Sequence, residues 1–188
     1  ADTHLPMIKP LLRHHGLPIY FAYIPLVESA FRVKAAHPKS GARGLWQFMA
    51  NTARGYGLEV SARADERLHP GRATQAAARY LRTLQGRFGR AAPLHILAAY
   101  NFGENNLSKA MQRARTQDIW PLFVQRRLPY QTREYLVKMV ALWVIVAHPT
   151  RFQLALDEAA MSPTYTTLSP SRLSASMEIA FRFVGPGE

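Results

Sequence analysis

The chain has 188 residues, 48% hydrophobic and 11% aromatic, enough to bury the core of one ordinary domain and too apolar for global disorder. Its 24 Lys and Arg against 12 Asp and Glu leave a formal charge of +12, which draws it to a polyanion: nucleic acid, anionic lipid or an acidic cell-wall polymer. The absence of cysteine excludes disulfides and thiolate metal sites.

The pattern is mainly helical, in short to medium pieces. Residues 3–15 read as an amphipathic helix stopped by Gly16. The stretch "LPIYFAYIPLVESAF" (17–31) is apolar nearly all round, which predicts burial. Pro25 must interrupt or restart it, and a restart puts Glu28 in the first turn of a new helix. Gly41 and Gly44 predict a turn, followed by a helix over 45–57 that Gly55 and Gly57 end. Residues 71–89 are the clearest helix, with Thr74 as a candidate cap and Ala77, Ala78, Leu81 and Leu84 at helical spacing. A buried helix is predicted over 92–104, stopping at Gly103, then a basic amphipathic one over 105–117. The last long helix is predicted over 129–149, with Pro149 as its terminator. Its most apolar run, "MVALWVIVA" (139–147), is nine residues long, far below the roughly 20 that cross a bilayer, and reads as buried. From about 150 the chain turns Ser-, Thr- and Pro-rich and is expected to be extended, with a short helix at "MEIAFRF" (177–183). The division expected is a domain over 1–150 and an extension over 151–188. The opening "ADTHLPMIKP" predicts a processed or trimmed fragment, with any anchor or export signal outside it.

Most chemical motifs fail. His14 and His15 are adjacent and are expected to point to different helix faces, and no His-Glu-x-x-His spacing occurs, so no metal is expected. "GYGLEV" lacks the third glycine of a dinucleotide loop, and no Walker-type lysine or Gly-x-Ser-x-Gly is present. No cofactor is expected. Cations such as Arg79, Arg82, Arg87, Arg113, Arg115, Arg126 and Arg127 are spread through the helices without a nucleic-acid-binding motif. A generally cationic solvated surface is therefore preferred to a nucleic-acid site, and it suits an anionic glycan.

Glu28 stands apart as the single acid in residues 24–48, with four cations downstream. It is either a solvated charge or a carboxyl group kept for acid–base work. "AAYN" (98–101) delivers Tyr100 and Asn101 at the end of an apolar helix, and "GLWQF" (44–48) sets Gln47 among large apolar groups, a way to orient a sugar hydroxyl. Each also has a plain structural reading, as core aromatics or an exposed helix residue.

Taken together, "VESAF", "SGARGLWQFM", "NTARGYGL", "ATQAAARYLRTLQGRFG", "LAAYNFGE" and "TREYLVKMVAL" come in the order and at about the spacing of the family-1 lytic transglycosylases. The chain resembles most the membrane-bound type D group of Gram-negative bacteria, over nearly its whole length. The resemblance implies a mainly α, lysozyme-like fold with a groove for glycan strands and a short irregular tail. It implies cleavage of the β-1,4 bond between N-acetylmuramic acid and N-acetylglucosamine without water, leaving a 1,6-anhydro end. It places the catalytic glutamate on Glu28 and glycan-contacting or Glu-orienting positions on Gln47, Tyr100, Asn101 and Tyr135. A family serine near the glutamate falls on Ser40, which here lies directly against Gly41 in a segment that reads one residue longer. After Tyr-Asn the chain has "FGENN" where the family usually reads Gly-Glu-Gly, so Asn105 is expected to stiffen a loop and Phe102 to add bulk.

A glycosidase ordinarily needs two carboxylates. A lytic transglycosylase needs one, because the sugar's own C6 hydroxyl is the second nucleophile. A raised pKa would suit Glu28 in both its roles, and desolvation by Leu26, Val27 and Phe31 would raise it. The resemblance further implies a monomer acting on peptidoglycan in the periplasm, associated with the outer membrane through an anchor outside this chain. LysM repeats are expected past residue 188. The alternatives are a lysozyme-type hydrolase and a non-catalytic peptidoglycan-binding module.

Overall fold

The computed structural model describes residues 3–90 and 92–152. They fall into two units, one ending at Arg87 and the other beginning at Phe88. Apart from residues 151 and 152, the expected extension and its short helix over 177–183 lie outside the described residues. No helix among the described residues is long and apolar enough to cross a membrane.

The first unit opens with α1 (Leu5–His14), whose Pro6 sits where a missing N–H costs nothing. The helix buries Leu5, Ile8 and Leu12, and Lys9 lays its ammonium 5.9 Å from the centroid of the Tyr23 ring. A 3-10 turn (Ile19–Tyr23) leads into α2 (Ile24–Ser29), so the segment divides near its proline as expected. But α2 begins at Ile24, so Pro25 lies in its first turn and Glu28 in its last, not its first. A proline is tolerated in a first turn, and the helix has no need to wait for it. Ala30 (φ 50°) and Phe31 (φ 57°) then reverse the chain, two consecutive non-glycine residues in the left-handed region.

The helix expected over 45–57 shrinks to α3 (Ala50–Gly55). Residues 45–48 form a turn instead, closed by Arg43 N–H to Phe48 O and Phe48 N–H to Arg43 O, both 3.1 Å. A distant residue imposes that shape. Arg67 is 6% exposed, and its Nη1 donates to Gly41 O (2.9 Å) and Phe48 O (3.1 Å). Its Nε and Nη2 each donate to the Asp65 carboxylate at 2.7 Å. Gly44 (φ 81°) passes so close that a Cβ there would lie 1.9 Å from Arg67 O. Tertiary contacts of this kind override local helix propensity.

The hydrogen bonds from Arg67, opposed by burial, hold the Asp65 carboxyl below its ordinary 3.8. A depressed acid contributes stability above its unfolded value and loses it as pH falls through its folded value. The melting temperature should therefore drop below about pH 4. Asp65→Asn should melt lower at neutral pH and show a shallower acid decline. An unchanged acid limb in that variant would remove the clamp from the account.

The unit ends within the last turn of α4 (Pro70–Phe88), whose face of Ala73, Ala76, Ala77, Tyr80, Leu81 and Leu84 is buried. Each buried leucine contributes about 1.5–3 kcal/mol. Thr74 is not the cap. The helix starts four residues earlier, and the Thr74 hydroxyl donates to Pro70 O (2.8 Å) while accepting from Trp46 Nε1 (3.0 Å).

The second unit contains α5 (Pro93–Phe102), α6 (Glu104–Ala114), α7 (Ile119–Val124) and α8 (Tyr130–Ala147). As expected, α5 is buried nearly all round, and it packs against α6 and α8. Gly103 (φ 91°) alone separates α5 from α6. Asn105 therefore stiffens no loop; it sits in the first turn of α6. The sequence reading missed α7, although Asp118 announces it by accepting at Oδ1 from Trp120 N (3.1 Å). Along α8 the buried residues are Thr132, Tyr135, Leu136 and Met139, all towards its start. Of "MVALWVIVA" only Met139 is buried, against the expectation for the whole run. Its partner α5 has 10 residues to the 18 of α8, too few to cover the longer helix at 1.5 Å per residue.

Candidate active site

Glu28 is half-buried at the penultimate position of α2, between half-buried Val27 and buried Ser29. Ser29 decides where that helix end sits. Its Oγ lies 3.0 Å from Pro25 O and 2.9 Å from Leu45 O, one hydroxyl proton shared between two carbonyls. The bond to Leu45 ties Glu28's helix to the 44–48 turn across sixteen residues. Arg32 reinforces it, donating from N (3.0 Å) and Nε (3.1 Å) to Ser29 O. Non-glycine residues held in the left-handed region cost about 1–3 kcal/mol each and collect at functional sites. Ala30 and Phe31 follow Glu28 by two and three positions, and Gln47 (φ 47°) is a further case.

Gln47 is attached to the same construction. Its Nε2 donates to Gly44 O (2.8 Å) and Ala35 O (3.2 Å), so the amide nitrogen braces the turn. It is a turn residue, not the helical one expected. Ser40 behaves differently. It is exposed, accepts at Oγ from Ala42 N (3.3 Å) and donates its N–H to His37 Nδ1 (3.2 Å). Those bonds are local to the turn over 37–42.

In the second unit, Tyr100 and Asn101 lie half-buried in the last turn of α5. Buried Thr132 on α8 donates from Oγ1 to Asn101 Oδ1 at 2.9 Å, and buried Tyr135 stands one turn further along the same helix. Glu28 and Gln47 thus belong to one hydrogen-bonded segment, Asn101 and Tyr135 to the α5–α8 pairing, and Ser40 to its own turn. Sequence reasoning singled out neither Ser29 nor Thr132. A hydroxyl directly after the lone acid was the available signal for the first; Thr132 had none, since its role appears only when α5 and α8 meet. No group of three or more His, Asp or Glu suited to a metal occurs among the described residues.

Residues 6–123 match the Transglycosylase SLT domain family, and the chain belongs to it. It is 31% identical over 186 residues to membrane-bound lytic murein transglycosylase D of Escherichia coli K12, covering 96% of this chain and 39% of that protein. Its fold is similar to that of the 70 kDa soluble lytic transglycosylase SLT70 from E. coli (TM-score 0.67, 22% identity, 94% of this chain and 26% of that one). It is also similar to an inactive mutant of the lytic transglycosylase Slt from Pseudomonas aeruginosa (TM-score 0.62, 23% identity, 80% of this chain and 25% of that one). The mainly α, lysozyme-like fold expected from the resemblance is therefore the observed one. The chain spans well under half the length of these relatives.

Proposed function

We propose that the chain is the catalytic domain of a peptidoglycan lytic transglycosylase, with Glu28 as its acid and then its base. The observation that carries the reading is the Ser29 tie, which fixes the Glu28 helix end against the turn of Gln47 inside the family-matched span. Glu28 gives its proton to the glycosidic oxygen as the bond to C1 of the muramic acid breaks. The neighbouring acetamido oxygen stabilises C1. The Glu28 carboxylate then takes the C6 hydroxyl proton as that oxygen closes on C1, which restores the acid and leaves a 1,6-anhydro end. One carboxylate completes the cycle, where a hydrolytic pair would need two.

Gln47 and Asn101 offer amide atoms to sugar hydroxyls, and Tyr100 and Tyr135 are assigned to contacts with the glycan. Ser40 is assigned to the glycan strand rather than to Glu28, because its hydrogen bonds are local. We place the domain in the bacterial envelope, in the periplasm against the outer membrane, as a monomer held by an anchor outside this chain. Mass spectrometry of digested sacculi tests the reading. Anhydro ends support it; reducing ends mean a lysozyme-type hydrolase; binding without release means a non-catalytic module.

Tyr100→Phe removes one hydroxyl and keeps the ring. If that hydroxyl serves the cleavage, turnover should fall on the order of tenfold or more with little change in melting temperature. A fully active variant would leave Tyr100 as a packing residue.

A further inference from the structure

The last turn of α1 and the middle of α4 border an open depression of about 580 Å3, lined by Arg13, His14, His15, Gly16, Arg79 and Arg82. Three arginines and two histidines line it, and no carboxylate residue is among them. None of these residues belongs to the proposed glycan site. Two of the arginines are held in place through backbone oxygens. Arg82 Nη1 donates to His15 O (2.9 Å), and Arg79 donates from Nε (3.1 Å) and Nη2 (2.6 Å) to Tyr56 O.

The two histidines were expected to point to different helix faces and do not divide that way. Helix α1 ends at His14, so His15 lies beyond its last turn, and the two rings meet edge-on with centroids 5.5 Å apart. The concentration of like charge registers at His15. Burial first, then the charges of His14, Arg79 and Arg82, hold its imidazole below the ordinary 6.5.

We propose that this depression is a phosphate-binding site, taking either free phosphate or the phosphate of a lipid headgroup. Like charges gathered in one concavity repel each other unless an anion offsets them, and they focus a positive potential that recruits one. Guanidinium forks pair with carboxylate or phosphate. The arginines here come from two separate elements, which suits a tetrahedral anion with acceptors in several directions better than a planar carboxylate. A bound anion favours the charged imidazole, so occupancy should bring the His15 titration midpoint back up. The other charged or titratable groups facing His15 are Arg13 and His14 on α1 and Arg79 and Arg82 on α4.

The test follows the His15 ring resonances by NMR through a pH titration of the whole chain. One arm contains inorganic phosphate and the other sodium chloride at equal ionic strength. Phosphate should produce a saturable upward shift of the midpoint that chloride does not, and Arg82→Gln should abolish it. Because Arg82 also holds His15 O, Arg13→Gln, which alters only an exposed charge, serves as the second variant and should weaken the shift with the melting temperature unchanged. Flotation with phosphatidylglycerol and phosphatidylcholine vesicles separates the sources. Binding to the anionic vesicles that both variants lose assigns the phosphate to a lipid headgroup, and no variant-sensitive binding assigns it to a soluble phosphate. Equal shifts in phosphate and chloride, or full shifts retained in both variants, would overturn the site.

Discussion

Glu28→Gln should melt with the parent protein and turn over glycan at least about a hundredfold more slowly. Glutamine keeps the length and planarity of the side chain, so the half-buried position at the end of α2 remains filled. What it lacks is the transferable proton, which both steps of the proposed cycle need. Positioned proton transfer is worth roughly 10²–10⁴ in rate, and in the proposed cycle a single group supplies it twice. Release of anhydro-muropeptides from sacculi measures the loss, and a thermal melt shows that the fold persists. Retention of more than a few per cent of the parent rate would move the acid elsewhere, with Glu104 in the first turn of α6 the next candidate. The variant identifies the acid and not the reaction, since a hydrolase using Glu28 would also fall silent. The nature of the released ends has to be read on the parent.

Gly44→Ala should be the most damaging single-methyl change in the first unit. The added Cβ would meet Arg67 O at 1.9 Å, a backbone atom that cannot swing away. Alanine also loses about 1–2 kcal/mol in the left-handed region. To relieve the overlap the turn must lift from Arg67, and that breaks bonds to Gly41 O and Phe48 O. A destabilisation of at least about 3 kcal/mol is expected, which for a chain this long lowers the melting temperature by roughly 6–12 °C. Turnover should fall as well, because Leu45 O, which receives Ser29, lies in the displaced turn. Gly55→Ala is the matched control. Nothing lies within 4 Å of a Cβ there, its φ is ordinary, and it ends α3, so the change should be neutral or slightly stabilising. Similar melting temperatures for the two variants would show that the close approach at Gly44 is not what sets the turn.

Glycines also mark how far the sequence could be read. Gly103 could be placed as the stop of α5 because helix ends are local events that a glycine signals by itself. The helix expected through Trp46 failed because the residues that bend it, Asp65 and Arg67, lie about twenty positions away and leave no trace in the local periodicity. The cap expected at Thr74 fails for the same reason, since its partner Trp46 is 28 residues distant. Glu28 could be singled out as a lone acid, and the resemblance supplied the role proposed for it. That its helix is fastened by Ser29 emerged only when the Leu45 carbonyl came within reach. The α8 run was apolar enough to predict burial, but burial depends on the length of the partner helix, which periodicity does not report.

The indole of Trp46 gives the first unit an optical reporter of its own. It is wholly enclosed and donates to Thr74, whereas the other two tryptophans, Trp120 and Trp143, are half-buried and belong to the second unit. With both of those replaced by phenylalanine, the remaining emission should be blue-shifted and shielded from acrylamide. Loosening of the turn beneath Glu28, whether by acid acting on Asp65 or by a methyl group at Gly44, should then appear as a red shift before the backbone signal changes. The construction that holds the proposed acid in place can thus be watched in real time, in a mixture with substrate, without attaching a dye.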